Sequence, residues 1–141
     1  MQAKTMLLVI PPIFILLGLL DVWVPREKMM KYMGPGSGIK GGVLAFLLGS
    51  FAAGPLYGAF PVAAVLMKKG ASFTNIMILI GAWSTTKIPM LLFEMSALGL
   101  RFALSRLAID IAGILIIAIA IKRSLAEKEI GELYTQAEKL V

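Results

Sequence analysis

The residues able to do chemistry in this chain crowd into Trp83-Ser84-Thr85-Thr86-Lys87-Ile88-Pro89, with Glu94 a short way beyond. Hydroxyls donate and accept hydrogen bonds, Lys87 offers a full positive charge, and Glu94 offers a carboxylate that can take up a proton. Leu79-Ile80 precede the cluster and Met90-Leu91-Leu92-Phe93 follow it, so it stands inside an apolar stretch. Lysine at the centre of a membrane-spanning helix costs roughly 2.5–3.5 kcal/mol on insertion scales. A partner charge, water or a ligand must offset that cost.

The chain has 141 residues, no cysteine and no histidine. Thiolate catalysis, disulfides, the usual zinc sites, histidine-ligated haem and imidazole proton relays are therefore excluded. No cofactor, metal site or catalytic residue is expected. Ser84 and Lys87 have the spacing of a Ser-Lys dyad. No paired acidic motif or nucleotide loop accompanies them, so the chain is not expected to be an enzyme.

Hydrophobic residues make up 59% of the chain, and the mean hydropathy is +0.89. A soluble domain of this composition would have no surface to offer water. The class is an all-α integral membrane protein. The net charge is +6, but the basic residues flank apolar runs and form no continuous face, so nucleic-acid binding is not expected. The expected partners are the lipid bilayer, a small-molecule or ion substrate, and further copies of the chain, since one copy is small for a transport pathway. The expected setting is a prokaryotic inner membrane crossed several times.

About four membrane segments are expected, two of them interrupted, with a short C-terminal helix. Met6 to Val24 reads as a retained first span, because no small-x-small cleavage site precedes Asp21. Pro11-Pro12 should kink it, and Trp23 suits the interface. Arg26 to Tyr32 reads as a short interfacial helix ended by Gly34-Pro35-Gly36-Ser37-Gly38. Gly41 to Met67 would run about 40 Å as one helix, more than a ~30 Å hydrocarbon core needs, and Gly54-Pro55 breaks it near the middle. Ser72 to Leu98 repeats that plan, with its break at Ser84–Lys87 and an end at Gly99. Arg101 to Ile121 is the last span, closed by Lys122-Arg123. Residues 1–123 form the expected transmembrane domain. Residues 124–141 form an amphipathic helix introduced by a capping-box-like Ser124-Leu125-Ala126-Glu127. That helix is expected to lie solvated or at the interface, with packing on a partner helix as the alternative.

If every stretch crosses the membrane, Lys4, Lys68, Lys69, Lys122, Arg123 and Lys128 share one side. Arg26, Lys28, Lys31, Lys40 and Arg101 share the other. That is almost no orientation bias. Either the interrupted stretches are re-entrant, which changes the count, or the chain inserts both ways and forms an antiparallel homodimer resembling the inverted repeats of larger transporters.

Helix breaks at membrane depth are tolerated where they are buried in protein or line a watery cavity, and in broken-helix transporters they bind substrate. Pro55 and Pro89 suit restarting helices, with Thr85 or Thr86 as an N-cap. Restarted helices would aim positive N-terminal ends at mid-membrane. Gly54, Pro55, Ser84, Thr85, Thr86 and Lys87 are the expected binding residues for a polar or anionic solute. The alternative is an ordinary kink with Lys87 paired to a carboxylate. Glu94 could pair with Arg101 or Arg106, and Arg106 with Asp110 four residues on. These four form either a structural ion-pair set or a proton-coupling one. Glycines 41, 42, 49, 54 and 58, with neighbouring alanines, mark close helix packing, tightest at Gly54-x-x-x-Gly58.

The block from Ala53-Gly54-Pro55-Leu56-Tyr57-Gly58 through Lys68-Lys69-Gly70-Ala71-Ser72 resembles the predicted permeases related to the arsenical-efflux permeases. So does the block from Gly81 to Glu94, with Gly99-Leu100-Arg101-Phe102 and Arg106. The resemblance covers about half the chain and implies a permease. Its members are typically about twice this length, with two related halves, so the chain resembles a half-size version that needs a partner copy. The better-known members carry a Cys pair just before the Gly of the first block. Phe51, Ala52 and Ala53 stand there in this chain. Thiol-dependent arsenic transport is therefore not implied, and the substrate stays open. The expected function is a homo-oligomeric permease subunit for a small polar or anionic solute; the alternative is an accessory subunit of a larger membrane complex.

Overall fold

The structure, a computed structural model, describes residues 4, 8, 11–12, 15, 18–19, 22–23, 25–52 and 55–140. The expected first span, and Asp21 within it, lie largely outside the described residues; the described positions before Pro25 are helical and exposed. The remaining elements are α1 (Arg26–Met33), α2 (Gly38–Phe51), a 3-10 turn (Leu56–Gly58), α3 (Ala59–Lys68), α4 (Phe73–Thr85), α5 (Ile88–Ala97), α6 (Leu100–Ser124) and α7 (Glu127–Leu140). Among the described residues there is no strand.

α4 is the central helix. It packs against α2, α3 and α6 and buries Ile76, Ile78, Leu79, Ala82 and Trp83. α2 lies closest, because Gly49 brings the two backbones together. A Cβ on Gly49 would overlap the Leu79 carbonyl and lie 3.0 Å from the Trp83 amide nitrogen. A tight seam therefore lies at Gly49; the predicted Gly54-x-x-x-Gly58 rests on Gly54, which lies outside the described residues.

Contacts along the helices fix their directions. Ser37, just before α2, meets Asn75 near the start of α4, and Ser50 near the end of α2 meets Thr86 just after α4. α2 and α4 therefore run parallel. α3 then returns to where α2 began: the Ser72 amide donates to Met33 O at 2.8 Å, and Gly70 sits against the Met30 side chain. The stretch from Gly38 to Lys68 is thus a hairpin with both ends at one end of the bundle. Its partner stretch behaves differently. α4 and α5 meet at a 42° bend and together have the length and composition of one broken span. α6 comes back antiparallel to them, with Arg106 at Thr85 and Lys122 lining a cleft with Ser72. α6 alone is long and apolar enough to cross a membrane; with the bent pair there are two such spans among the described residues.

This geometry revises the charge count. Arg26, Lys28, Lys31 and Lys40 join Lys68, Lys69, Lys122, Arg123 and Lys128 at one end of the bundle, and Arg101 stands at the other. The near-balance expected from sequence came from treating a turned-back stretch as a crossing one.

α7 packs one side back onto α3 and buries Ala137, while most of its residues stay exposed. Tyr134 donates its hydroxyl to Ala71 O at 2.6 Å. The expected capping box does not form, because α6 continues through Ser124; only its reverse half appears two residues later, where Glu129 Oε2 accepts from the Ala126 amide at 2.8 Å.

Two outcomes follow from this packing. Gly49→Val should destabilise the fold by about 1–3 kcal/mol through overpacking, measured as a loss of melting temperature in detergent. Burial raises the Tyr134 pKa above the ordinary tyrosine value. The docked α7 therefore keeps its full stability below about pH 10 and loses it as pH rises through the raised folded value. Amide exchange of α7 should show that loss. Tyr134→Phe should remove the pH dependence and cost about 0.5–1.5 kcal/mol.

Candidate functional site

The two breaks meet. Thr86 donates its single hydroxyl proton to Ala82 O at 3.0 Å. It therefore accepts from Ser50 Oγ, also at 3.0 Å, and both side chains are buried. That bond joins the last turn of α2 to the residue linking α4 and α5. Pro55, across the gap from α2, is extended at φ −71° and ψ 160° and precedes the 3-10 turn, where its missing amide costs nothing.

Ser84 and Thr85 both donate to Gly81 O at 2.9 Å. Neither Thr85 nor Thr86 caps the following helix. Their hydroxyls turn back into α4, and Lys87 takes the N-cap position with φ −66° and ψ 130°, followed by Ile88 and Pro89 in the first turn. β-branched hydroxyls reach the carbonyl four residues back as readily as a forward amide, and here the backward bonds win. Lys87 is half-buried.

Arg106 closes the site from α6. Its Nη2 donates to Thr85 O at 2.8 Å, and its Nη1 pairs with Glu94 Oε1. Its Nε lies 3.7 Å from Asp110 Oδ2, one turn along α6. Thr85 is the last residue of α4, whose final carbonyls have no intrahelical donors and carry partial negative charge. A guanidinium has enough donors, in a planar fork, to serve a carbonyl and a carboxylate together. Of the two partners open to Glu94, the structure selects Arg106; Arg101 is exposed. Glu94 is 8% exposed. Its Oε2 and Asp110 Oδ2 are buried without hydrogen-bond partners.

The break is not at the midpoint of the layer. From Leu100 to Arg106 α6 rises about 9 Å, and from Arg106 to Lys122 about 24 Å. The site lies nearer the Arg101 end.

Of the predicted residues, the structure brings Thr85, Glu94, Arg106 and Asp110 into one network and sets Thr86 beside it. Pro55 lies at the other break, and Gly54 is outside the described residues. The sequence reading missed Ser50 and Asn75. Asn75 Nδ2 donates to Met33 O at 2.8 Å and to Ser37 Oγ at 3.1 Å, pinning the start of α4 to the turn before α2. Each is a lone polar residue in an apolar run, which is the available signal. A cleft of about 480 Å³ opens at the Lys122 end, lined by Ser37, Ser72, Asn75, Glu127 and Tyr134 among others. None of the predicted site residues lines it.

No curated protein matches the chain, and no solved structure matches it. One family model does, and it spans nearly the whole sequence. The interrupted helices and the match are consistent with each other: the chain belongs to the ArsP_1 family of predicted permeases, whose model matches residues 1–140.

Proposed function

We propose that the chain is one protomer of a homo-oligomeric, multi-pass permease in a prokaryotic inner membrane, with residues 1–123 as the membrane unit and 124–141 as an appended helix. The solute we infer is small and polar or anionic, and it passes where the two breaks meet. The observation that carries this reading is the buried Ser50–Thr86 hydrogen bond. Polar helix ends are expensive at membrane depth and are kept where they serve a pathway. The positive end of α5 begins at one break with Lys87 at its N-cap, and a 3-10 turn leading into α3 starts after Pro55 at the other. Lys87, at the start of α5 within the break, is the cation we infer to meet the solute.

The cation distribution favours one orientation for all subunits over an antiparallel pair. The Lys122 end would face the cytoplasm. A reporter active only in the cytoplasm should work when fused to the C-terminus, and one active only outside should not; equal activity of both would restore the antiparallel dimer.

Transport is tested with purified protein in lipid vesicles, screened against radiolabelled inorganic anions, metal oxyanions and organic acids. Lys87→Met should insert normally and lower uptake about 10- to 100-fold, the scale of one charge-assisted hydrogen bond. Unchanged uptake would make Lys87 structural. Wild-type vesicles that move nothing in the panel would favour the accessory-subunit reading.

A further inference from the structure

Two cavities adjoin at the Lys122 end of the bundle. The polar cleft there holds about 480 Å³. Beside it an apolar groove of about 410 Å³ runs between α2, α4 and α6, walled by Ile39, Val43, Phe46, Ile78, Ile111 and Leu115. Gly38, Thr74 and Asn75 line both spaces. Gly42 keeps the groove open on the α2 side: a Cβ there would meet only Ile78 Cδ1, at 3.5 Å. From Ile111 to Lys122 α6 rises about 16 Å, close to one leaflet of a ~30 Å hydrocarbon core. The combined space is thus polar at one end and apolar for the depth of a leaflet.

The polar end carries both signs of charge. Lys122 and Glu127 line it together, and among the described residues no ion pair joins them. Ser72 Oγ accepts from the Asn75 amide, and among the described residues no hydrogen bond uses the hydroxyl proton of Ser72 or of Thr74. The hydroxyls of Ser84, Thr85 and Thr86, by contrast, give their protons to α4 carbonyls. The cleft therefore offers an ammonium and two hydroxyl donors on one hand and a carboxylate on the other. A phosphate brings only acceptors and suits the first set; an ammonium brings only donors and suits the second. Basic pockets between membrane helices are known sites for phospholipid headgroups.

We propose that this composite cavity holds one aminophospholipid per protomer. Its phosphate lies against Lys122, Ser72 and Thr74, its ammonium meets Glu127, and one acyl chain lies in the groove between α2, α4 and α6. A packed protein helix would fill the apolar groove, but nothing about a helix side calls for a carboxylate and an ammonium at its head. An amphiphile answers both halves of the space. The proposal needs the chain to be embedded in a bilayer and is independent of which solute, if any, it moves.

The first test uses the wild-type chain, so it does not depend on a variant folding. Phosphatidylethanolamine with a diazirine on its acyl chain is mixed into vesicles holding the protein, photolysed, and the labelled residues are mapped by mass spectrometry. Label should concentrate on Ile39, Val43, Ile111 and Leu115 over Ile117, which is 58% exposed and lies on the opposite side of α6 from Leu115. Even labelling of all of them shows surrounding lipid only and overturns the proposal. Native mass spectrometry of the detergent-purified protein should show one phosphatidylethanolamine retained per protomer in preference to phosphatidylglycerol; equal retention of the two overturns it. Lys122→Gln and Glu127→Gln should each lower retention about 2- to 5-fold, the scale of one exposed ion pair. Gly42→Leu, which fills the groove from its wall, should lower it at least as much. Retention unchanged in all three variants overturns the proposal. The chain has no cysteine, so Val43→Cys reports what else reaches the groove. A disulfide between two copies at that position, or with Leu8→Cys in the same chain, places protein there and overturns the proposal.

Discussion

Arg106 holds the break together. A helix that stops inside an apolar layer strands its last carbonyls where water cannot reach them. α4 stops at Thr85, and one guanidinium arriving from α6 serves that terminus while it is itself held by Glu94 from α5. Three helices thus depend on one side chain. The charge also has the right sign, since the C-terminal end of a helix attracts cations. Lysine could supply the charge but not the planar fork that binds carbonyl and carboxylate at once.

The two interrupted stretches show how similar punctuation gives opposite topologies. Between α4 and α5 only Thr86 and Lys87 leave helical geometry, and Pro89 restarts the chain at once; the result is a 42° bend. After α2 the chain goes extended at Ala52, is extended again at Pro55, and turns through a 3-10 segment before α3. That longer connection allows a full reversal. Reversal is stabilised because α2 and α3 both pack on α4, with Gly49 allowing the closer approach. The hairpin therefore lies against a spanning helix instead of forming one.

Several features were legible in sequence because they depend on local chemistry. Gly34-Pro35 ends α1, Gly99 adopts the positive φ that starts α6, and Arg106 and Asp110 meet through helical spacing. What was illegible depends on tertiary contact. A proline break has the same composition whether the chain bends or reverses, so the charge count inherited that ambiguity. Ser50 and Asn75 each look like single tolerated polar residues in apolar runs, and only the folded chain shows Ser50 meeting Thr86 and Asn75 meeting Met33. The Thr85–Thr86 cap failed for a local reason: hydroxyls at a helix end can satisfy the turn behind them as well as the turn ahead.

That backward bonding changes what the break can offer a ligand. Ser84, Thr85 and Thr86 each have one hydroxyl proton, and each donates it to a carbonyl of α4. Ser50 has one as well, and gives it to Thr86. In this conformation the hydroxyls are acceptors only. They suit a solute that brings its own donors, or they stand idle. Under the proposed function an anion is met by other groups: Lys87 and the first amides of α5, which lie ahead of its first intrahelical bond. The hydroxyl run that draws the eye in the sequence is thus chiefly a means of ending α4 within an apolar layer.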